Sequence, residues 1–193
     1  MVTVSTSAQT RSYHHVDLRS ALVEAGLKAL ETAPIEDLSL RALAREVGVS
    51  PTAVYRHFPD KQALLGALAA EGIEQLGQYQ QAAATGAEGN SDAFGATGRA
   101  YVRWALVNPA LFRLVFGQGR DVGSSIFGDN LAARLLQDKA LRAVRGDEAE
   151  ARQLMIQAWA VVHGLAMLML DGQLPQDDAL IDRVIDPRTL FAR

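Results

Sequence analysis

Apolar residues recur at intervals of three and four along most of the chain, which is the spacing of a helix with one buried face. This pattern predicts a first helix over 17–32, which Pro34 ends. Two short helices are predicted next, over 39–47 and 51–58, and a long helix begins near Lys61. The first third of the chain is therefore expected to be a cluster of short helices leading into one long helix.

The same spacing continues in the second part of the chain. Residues 82–92 are rich in Ala, Gly, Thr and Asn and predict a linker. The glycine-rich stretch 117–128 predicts a flexible loop. Five more helices are predicted, over 92–107, 109–116, 128–145, 147–171 and 176–185. No segment alternates with period two for long enough to be a strand, so the fold class is predicted to be all-α, with about nine helices.

The stretch 39–58 has the pattern of a helix-turn-helix motif, with a three-residue turn at Gly48. A glycine there suits a left-handed backbone, which a residue with a Cβ resists. Ser39 and Ser50 suit the N-caps of the two helices, and Pro51 suits a first helical position. The inner face of the motif is predicted to consist of Leu40, Leu43, Ala44, Val47, Val49, Val54 and Phe58.

The outer face of the second motif helix is polar. Thr52, Tyr55 and Arg56 lie at i, i+3 and i+4, so they share one side of the helix. A helix in a DNA major groove needs hydrogen-bonding side chains outside and an apolar back. We therefore expect sequence-specific binding of double-stranded DNA. The alternative is a small-molecule-binding or enzymatic helical protein whose helix-turn-helix is only scaffold, and it would not need this face.

Charge and composition narrow the classes of function. The net charge is −3, yet residues 11–61 carry seven basic and seven acidic side chains, so DNA binding must depend on local placement. The chain has no cysteine, which excludes disulfide scaffolds and cysteine-ligated metals. Adjacent His14 and His15 share a metal poorly, so no metal site and no cofactor are expected. No catalytic constellation is visible, and the protein is predicted not to be an enzyme.

Hydrophobic runs and the start of the chain bear on location. No apolar run approaches about 20 residues, so no membrane span and no membrane partner are predicted. The first ten residues have neither an apolar core nor a basic flank, unlike a signal peptide. A cytoplasmic location is the resulting expectation.

About 65 residues of this sequence closely resemble the TetR (tetracycline-repressor) family of transcriptional regulators. The resemblance is carried by Leu38–Ser50 (LSLRALAREVGVS) and Pro51–Leu65 (PTAVYRHFPDKQALL). A weaker match continues at Asn108–Leu114 (NPALFRL) and at Trp159–Gly164 (WAVVHG), which is similar to a subgroup with a Trp…His-Gly helix in its effector domain.

The resemblance implies a site, an assembly and a domain division. It implies DNA contacts by Arg41, Ser50, Pro51, Thr52, Tyr55, Arg56, His57 and Lys61. For Arg56 a guanine and a phosphate contact are both open, and for Arg41 a base and a backbone contact. Family members are dimers, which implies a homodimer on a palindromic operator. The domains are then a flexible arm over 1–12, a DNA-binding domain over 13–62 and an effector-binding and dimerisation domain over 63–193.

The resemblance also implies an apolar effector pocket in the second domain, whose expected ligand is a small apolar molecule. The candidate wall residues are Tyr101, Trp104, Phe112, Phe116, Trp159, His163 and Met167. Core packing is the alternative for each of them, and for His163 this means a hydrogen-bonded core histidine.

The helix over 147–171 is apolar on more than one side, so something must bury it. One interpretation is an intersubunit four-helix bundle, as in the family, and the other is an internal helix of a monomer. The candidate interface residues are Leu154, Val161, Val162, Leu165, Leu168, Leu180, Ile181 and Val184.

Overall fold

The computed structural model describes residues 15–87, 92–117 and 128–186, and this part of the chain is helical with no strand. A turn of 3-10 helix, Ile35–Asp37, follows the first helix. The nine helices of these described residues are α1 (His15–Leu30), α2 (Leu40–Val47), α3 (Pro51–His57), α4 (Lys61–Gly86), α5 (Ala93–Val107), α6 (Pro109–Gly117), α7 (Leu131–Ala143), α8 (Glu148–Leu170) and α9 (Asp178–Val184). The predicted all-α class is confirmed. The predicted arm over 1–12 and residues 118–127 of the predicted loop lie outside the described residues.

The linker prediction over 82–92 is wrong in its first half, because α4 continues to Gly86. Alanine is the strongest helix former, and the run at 82–84 extends the helix. Ala84 is buried, so packing supports this last part as well. The 3-10 turn was not predicted, since three residues are too few to show a period.

The hydrophobic core runs without a break from the helix-turn-helix region into the rest of the described chain. Leu22 of α1 and Leu43 of α2 pack in the same cluster as Leu64 and Leu68 of α4, and all four are essentially inaccessible. Because α4 supplies side chains to both parts, the core crosses the predicted boundary between residues 62 and 63. A change in the tilt of α4 would therefore move side chains in both parts of the core.

Two glycines let α4 lie very close to its neighbours. A Cβ built at Gly72 would lie 2.8 Å from Val115 Cγ2 and 2.9 Å from Leu111 Cδ1 of α6. A Cβ at Gly77 would lie 2.7 Å from Leu131 Cβ and 2.8 Å from the backbone nitrogen of Ala132 at the start of α7. Neither α6 nor α7 could pack so tightly on α4 if these positions carried side chains.

We expect Gly77→Ala to destabilise the protein by about 1–3 kcal/mol, because the added methyl group meets backbone that has no room to move. Gly66 lies on the same helix with nothing within 4 Å of its Cβ position. Gly66→Ala is therefore the matched control, neutral or stabilising by up to about 1 kcal/mol. Urea denaturation of both variants measures this, and equal stability of the two would show that α4 and α7 are not packed this closely.

Helix α8 differs from the expectation that no apolar stretch of the chain is long enough to cross a membrane. It has 23 residues, and by length and composition alone it could cross a membrane. Within its most apolar 18-residue stretch, 39% of the residues are buried inside the chain. The core helix of a soluble protein passes the same test, so this feature is weak evidence for a membrane span. Polar residues interrupt the apolar ones in this helix, so the sequence shows no uninterrupted apolar run of its length.

Ion pairs fasten α9 to α5. Arg103 donates hydrogen bonds to Asp178 at 2.8 Å and to Asp182 at 2.9 Å. The hydrogen bond to Asp178 contributes most to raising the pKa of Arg103. Arg99 also donates to the carbonyl oxygen of Ile185, at the end of α9, at 3.0 Å. Together these contacts hold the short α9 against α5, with its Ile181 side chain buried.

Candidate nucleic-acid interface and ligand cavity

The turn between α2 and α3 has the backbone that the sequence predicts. Gly48 has φ of 77° and ψ of 32°, in the left-handed region. The amide of Val49 donates to the carbonyl of Ala44 at 2.9 Å, which closes the end of α2. Ser50 then caps α3, its hydroxyl oxygen accepting from the amide of Ala53 at 3.3 Å. Ser39 occupies the N-cap position of α2, but its side chain makes no capping hydrogen bond.

Helix α3 has one buried side and one exposed side. Val54 is fully buried, and Phe58 at the C-cap is 2% exposed. On the other side Thr52, Tyr55 and Arg56 are exposed, with Tyr55 at 44%. The apolar side fixes the orientation of this short helix, which presents three hydrogen-bonding side chains to solvent.

Lys61 is the first residue of α4, three residues after Phe58. Asp60 caps α4, since its Oδ1 accepts from the amide of Ala63 at 2.8 Å. The Nζ of Lys61 donates to the carbonyl oxygen of Glu36, in the 3-10 turn, at 2.8 Å. An ammonium group has three protons, so Lys61 keeps donors for another acceptor such as a phosphate. The hydrogen bond ties this lysine to the segment between α1 and α2.

An aromatic cluster lies where α5, α6 and α8 meet. It consists of Tyr101, Phe112, Phe116, Trp159 and His163. Phe112 and Phe116 have ring centroids 5.0 Å apart, and those of Trp159 and His163 are 5.2 Å apart. Contacts of this kind fix the three helices relative to one another.

A chain of hydrogen bonds runs through the aromatic cluster. Trp159 Nε1 donates to the hydroxyl oxygen of Tyr101 at 3.3 Å, and this hydroxyl lies 2.9 Å from Nδ1 of His163. Burial raises the pKa of Tyr101, so its hydroxyl keeps its proton. Burial also lowers the pKa of His163. His163 is then a neutral imidazole, and the direction of its hydrogen bond with Tyr101 depends on which ring nitrogen carries the proton.

Two concave sites border this cluster. The inner cavity lies between α4, α5, α7 and α8 and measures about 750 Å³ with its open mouth. The junction cleft lies between the 3-10 turn, α6 and α8, and measures about 1030 Å³ with its mouth. The inner cavity has mostly apolar walls with a few polar groups, which is typical of a small-molecule site.

Families of known proteins match both parts of the chain. The family described as "Bacterial regulatory proteins, tetR family" matches residues 22–68, which include α2 and α3. The family described as "Tetracyclin repressor-like, C-terminal domain" matches residues 94–187, which include the aromatic cluster. The chain belongs to the TetR family. Its helix-turn-helix is the TetR N-terminal domain, and α5–α9 belong to a TetR-type C-terminal domain.

One curated relative and two solved structures are similar to this chain. The chain is 34% identical over 102 residues to the HTH-type transcriptional regulator Rv1816 of Mycobacterium tuberculosis, covering 52% of this chain and 44% of that protein. The chain thus spans less than half the length of this curated relative. A protein with unknown function from Rhodococcus sp. RHA1 has a TM-score of 0.71 at 31% identity, over 91% of this chain and 93% of that one. A tetR-family transcriptional regulator from Streptomyces coelicolor, at 16% identity over 88% and 78%, shares the fold with a TM-score of 0.57.

The predicted DNA-contact residues fall into three groups by exposure and by existing hydrogen bonds. Thr52, Tyr55, Arg56, Arg41 and Pro51 are exposed. Ser50 is exposed too, but its hydroxyl already caps α3, while His57 and Lys61 are partly buried. The structure brings all of them to α2, α3 and the start of α4.

One basic residue beside α3 was missed by the sequence analysis. The guanidinium of Arg19, on α1, lies 5.2 Å from the centre of the Phe58 ring. A cation over an aromatic face is a stabilising arrangement. No spacing rule indicates this pair, because the two residues lie on different helices.

The structure divides the predicted pocket residues. Tyr101, Phe116 and Trp159 line the inner cavity. Phe112, His163 and Met167 line the junction cleft, which Phe116 also borders. Trp104 lies elsewhere, buried beneath a groove that contains Tyr79 and Val107. His163 has the hydrogen bond of a core histidine and also borders a cleft, so both interpretations describe part of its surroundings.

The polar wall of the inner cavity was not predicted. It comprises Gln80 of α4, Thr97 of α5 and Asn130 at the N-cap of α7. A signal for Gln80 was available, because Leu76, Gln80 and Ala84 follow one another at i+4 on the buried side of α4. A glutamine in such a stripe is a buried polar group that needs a partner.

The predicted interface residues also differ in exposure. Leu154, Val162, Leu165 and Ile181 are buried inside the described chain, with at most 9% exposed, so a second copy cannot reach much of them. Val161, Leu180 and Val184 are partly buried. Leu168 is 46% exposed and is free for such a contact.

Within residues 15–87, 92–117 and 128–186, no group of three or more His, Cys, Asp or Glu could hold a metal ion.

The neutral state of His163 predicts a pH dependence of stability. The unfolded chain has the ordinary histidine pKa of about 6.5 and the folded chain a lower one, so between the two the unfolded state binds more protons. The contribution of His163 to stability is therefore complete above about pH 6.5 and is lost as the pH falls through the folded pKa. We expect His163→Asn, which keeps a hydrogen-bonding group for Tyr101 but does not titrate, to lose less stability than the wild type between pH 7.5 and 5. Urea denaturation at both pH values measures this, and equal losses would mean that the imidazole is not buried as a neutral group.

Proposed function

We propose that the protein is a sequence-specific DNA-binding transcriptional regulator, a dimeric repressor that a small apolar ligand releases from a palindromic operator. The observation that carries the proposal is the exposed face of Thr52, Tyr55 and Arg56 on a short helix whose other side is buried. An enzyme or a simple binding protein would have no use for this face. The similarity to Rv1816, an HTH-type transcriptional regulator, supports the same function.

A row of side chains on α8 supports the dimer. Ile156, Ala160, Gly164 and Leu168 follow one another at i+4, so they form one ridge along the helix. Ile156 is 48% exposed and Leu168 46%, and nothing lies within 4 Å of the Cβ position of Gly164. Two small residues between two large apolar ones let another helix approach closely. We place the centre of the interface on this ridge.

Helix α4 provides the link between ligand and DNA. Its middle residues Ile73, Leu76 and Gln80 line the inner cavity, and its first residue, Lys61, lies beside α3. A ligand that prefers one tilt of α4 shifts the population of dimers toward one spacing of the two α3 helices. By linkage, DNA that prefers the other spacing is then bound more weakly.

Three further assignments complete the proposal. The TetR subgroup is the one with a Trp…His-Gly helix, here Trp159, His163 and Gly164 of α8. The protein acts in the cytoplasm, as a soluble DNA-binding protein. It has no catalytic role, which is the normal case for TetR regulators.

A DNA-binding titration tests the function. The probe is a labelled duplex selected by the protein from fragments of its own genome, and a scrambled duplex of the same composition is the control. We expect the selected duplex to bind at least about 1000-fold tighter. If each protomer neutralises three or four phosphates, the logarithm of the binding constant falls against the logarithm of salt with a slope of about −6. Equal affinity for both duplexes would contradict the proposal, and transcription in vitro that the protein does not reduce would contradict repression.

A further inference from the structure

The inner cavity has uncharged walls throughout the part that the structure describes. Its lining comes from apolar side chains, glycines and alanines, together with the polar residues Gln80, Thr97, Asn130, Tyr101 and Trp159. A charged ligand would lose its hydration there without gaining a counter-ion, which is costly. The lining therefore selects neutral molecules.

Gln80 is the polar residue on which the inference depends. It is only 9% exposed, and its side-chain Nε2 donates to the backbone carbonyl oxygen of Thr97 at 3.1 Å. A carbonyl oxygen accepts but never donates, so the nitrogen of the amide must face Thr97 and the oxygen must face the other way. This oxygen, Oε1, is buried and has no hydrogen-bond partner among the described residues. A buried acceptor without a partner is rare and costly.

The other polar side chains of this wall already make hydrogen bonds within the chain. The Thr97 hydroxyl donates to the carbonyl oxygen of Phe94 at 2.7 Å. The Tyr101 hydroxyl lies between Trp159 Nε1 and His163 Nδ1. Asn130 Oδ1 accepts from the amide of Ala133 at 2.9 Å as the cap of α7. Among the described residues that line the cavity, Gln80 is therefore the one whose buried side-chain oxygen lacks a donor.

We infer that the inner cavity binds neutral, largely apolar molecules that carry one hydrogen-bond donor, a hydroxyl or an N–H group, and that this donor bonds Oε1 of Gln80. The inference rests on the proposed function, because it takes the cavity to be the effector site. It adds the chemical class of the ligand and the residue that selects it. Hydrocarbons without a donor leave Oε1 unpaired, and anions meet no positive charge.

A series of three probes with one ring system tests the class. Calorimetric titration of the full chain compares 2-naphthol, which has a donor, with naphthalene, which has none, and with 2-naphthoate, which is charged. We expect 2-naphthol to bind at least about tenfold tighter than naphthalene, and 2-naphthoate to bind most weakly. Equal binding of 2-naphthol and naphthalene, or tightest binding of 2-naphthoate, overturns the inference.

Two variants identify the residue. Gln80→Leu removes the acceptor at similar volume, and we expect it to reduce the preference for 2-naphthol over naphthalene to less than about twofold. Gln81→Leu is the matched control, because Gln81 is the next residue on α4 and is exposed. It should keep the full preference. If Gln80→Leu does not fold, as judged by circular dichroism, Gln80→Met takes its place. A preference that persists without Gln80, or disappears with Gln81→Leu, overturns the assignment.

The titrations contain no DNA, so they are independent of the regulator proposal. A donor preference that depends on Gln80, in a protein that does not distinguish its selected duplex from the scrambled one, supports the ligand class and contradicts the regulator. Specific DNA binding without a donor preference supports the regulator and contradicts the ligand class.

Discussion

Replacing Tyr55 by alanine is expected to lower the affinity for the selected duplex by about 100-fold or more. The phenolic hydroxyl is exposed on the outer side of α3, where it can donate to a phosphate. A hydrogen bond to a charged acceptor contributes about 1.5–3 kcal/mol, and a dimer makes this contact twice. Fluorescence anisotropy with the labelled duplex measures the loss. The fold should be unaffected, because the side chain contributes little to the core.

Tyr79→Ala is the matched control for this prediction. Tyr79 is 46% exposed, against 44% for Tyr55, but it lies on α4, 18 residues after Lys61, at the groove that contains Trp104. Its removal should leave DNA binding within about twofold of the wild type. If Tyr55→Ala binds like the wild type, or if both variants lose affinity equally, the outer side of α3 is not the DNA-binding surface.

Phe58→Ala is expected to destabilise the protein by about 3–5 kcal/mol. The ring is 2% exposed, belongs to the continuous core and lies under the guanidinium of Arg19. Its removal leaves a cavity directly after α3, so the orientation of α3 is lost together with stability. We therefore expect specific DNA binding to fall as well. Urea denaturation gives the first effect and anisotropy the second.

Phe58→Leu is the conservative variant at this position. Leucine keeps most of the buried apolar volume, so it should retain most of the stability that alanine loses. A loss of less than about 1 kcal/mol in Phe58→Ala would mean that this side chain does not support α3. Stability lost without any loss of DNA affinity would mean that α3 needs no such support.

The helix-turn-helix could be predicted in detail because local rules determine it. The left-handed Gly48, the cap at Ser50 and the first-turn Pro51 each depend on neighbouring residues only. The apolar spacing then assigned Val54 to the inside and Tyr55 to the outside. No distant contact had to be known, so the sequence was sufficient for this part.

Only the types of residue in the pocket could be predicted, not which of them line it, because the pocket depends on contacts between distant helices. Tyr101 and Trp104 are both aromatic residues of α5, one turn apart, yet the first lines the inner cavity and the second lies under another groove. Periodicity shows that both are buried, but not against what. The spacing places Gln80 on the buried side of α4, but its partner Thr97 lies on the following helix and could not be predicted.

The interface shows the same limit. Helix α8 is apolar on several sides, and the spacing does not say which side faces its own chain. Leu165 turned out to be buried within the chain and Leu168, three residues later, to be 46% exposed. Only the packing of α8 against α5 and α7 separates them.

The central claim is that two copies of α3 lie in neighbouring major grooves of one duplex. A hydroxyl-radical footprint on the selected duplex tests it most directly. We expect two protected patches on one side of the duplex, related by two-fold symmetry and centred about 34–36 Å or somewhat more apart. A single protected patch, or two patches on opposite sides of the duplex, would contradict it.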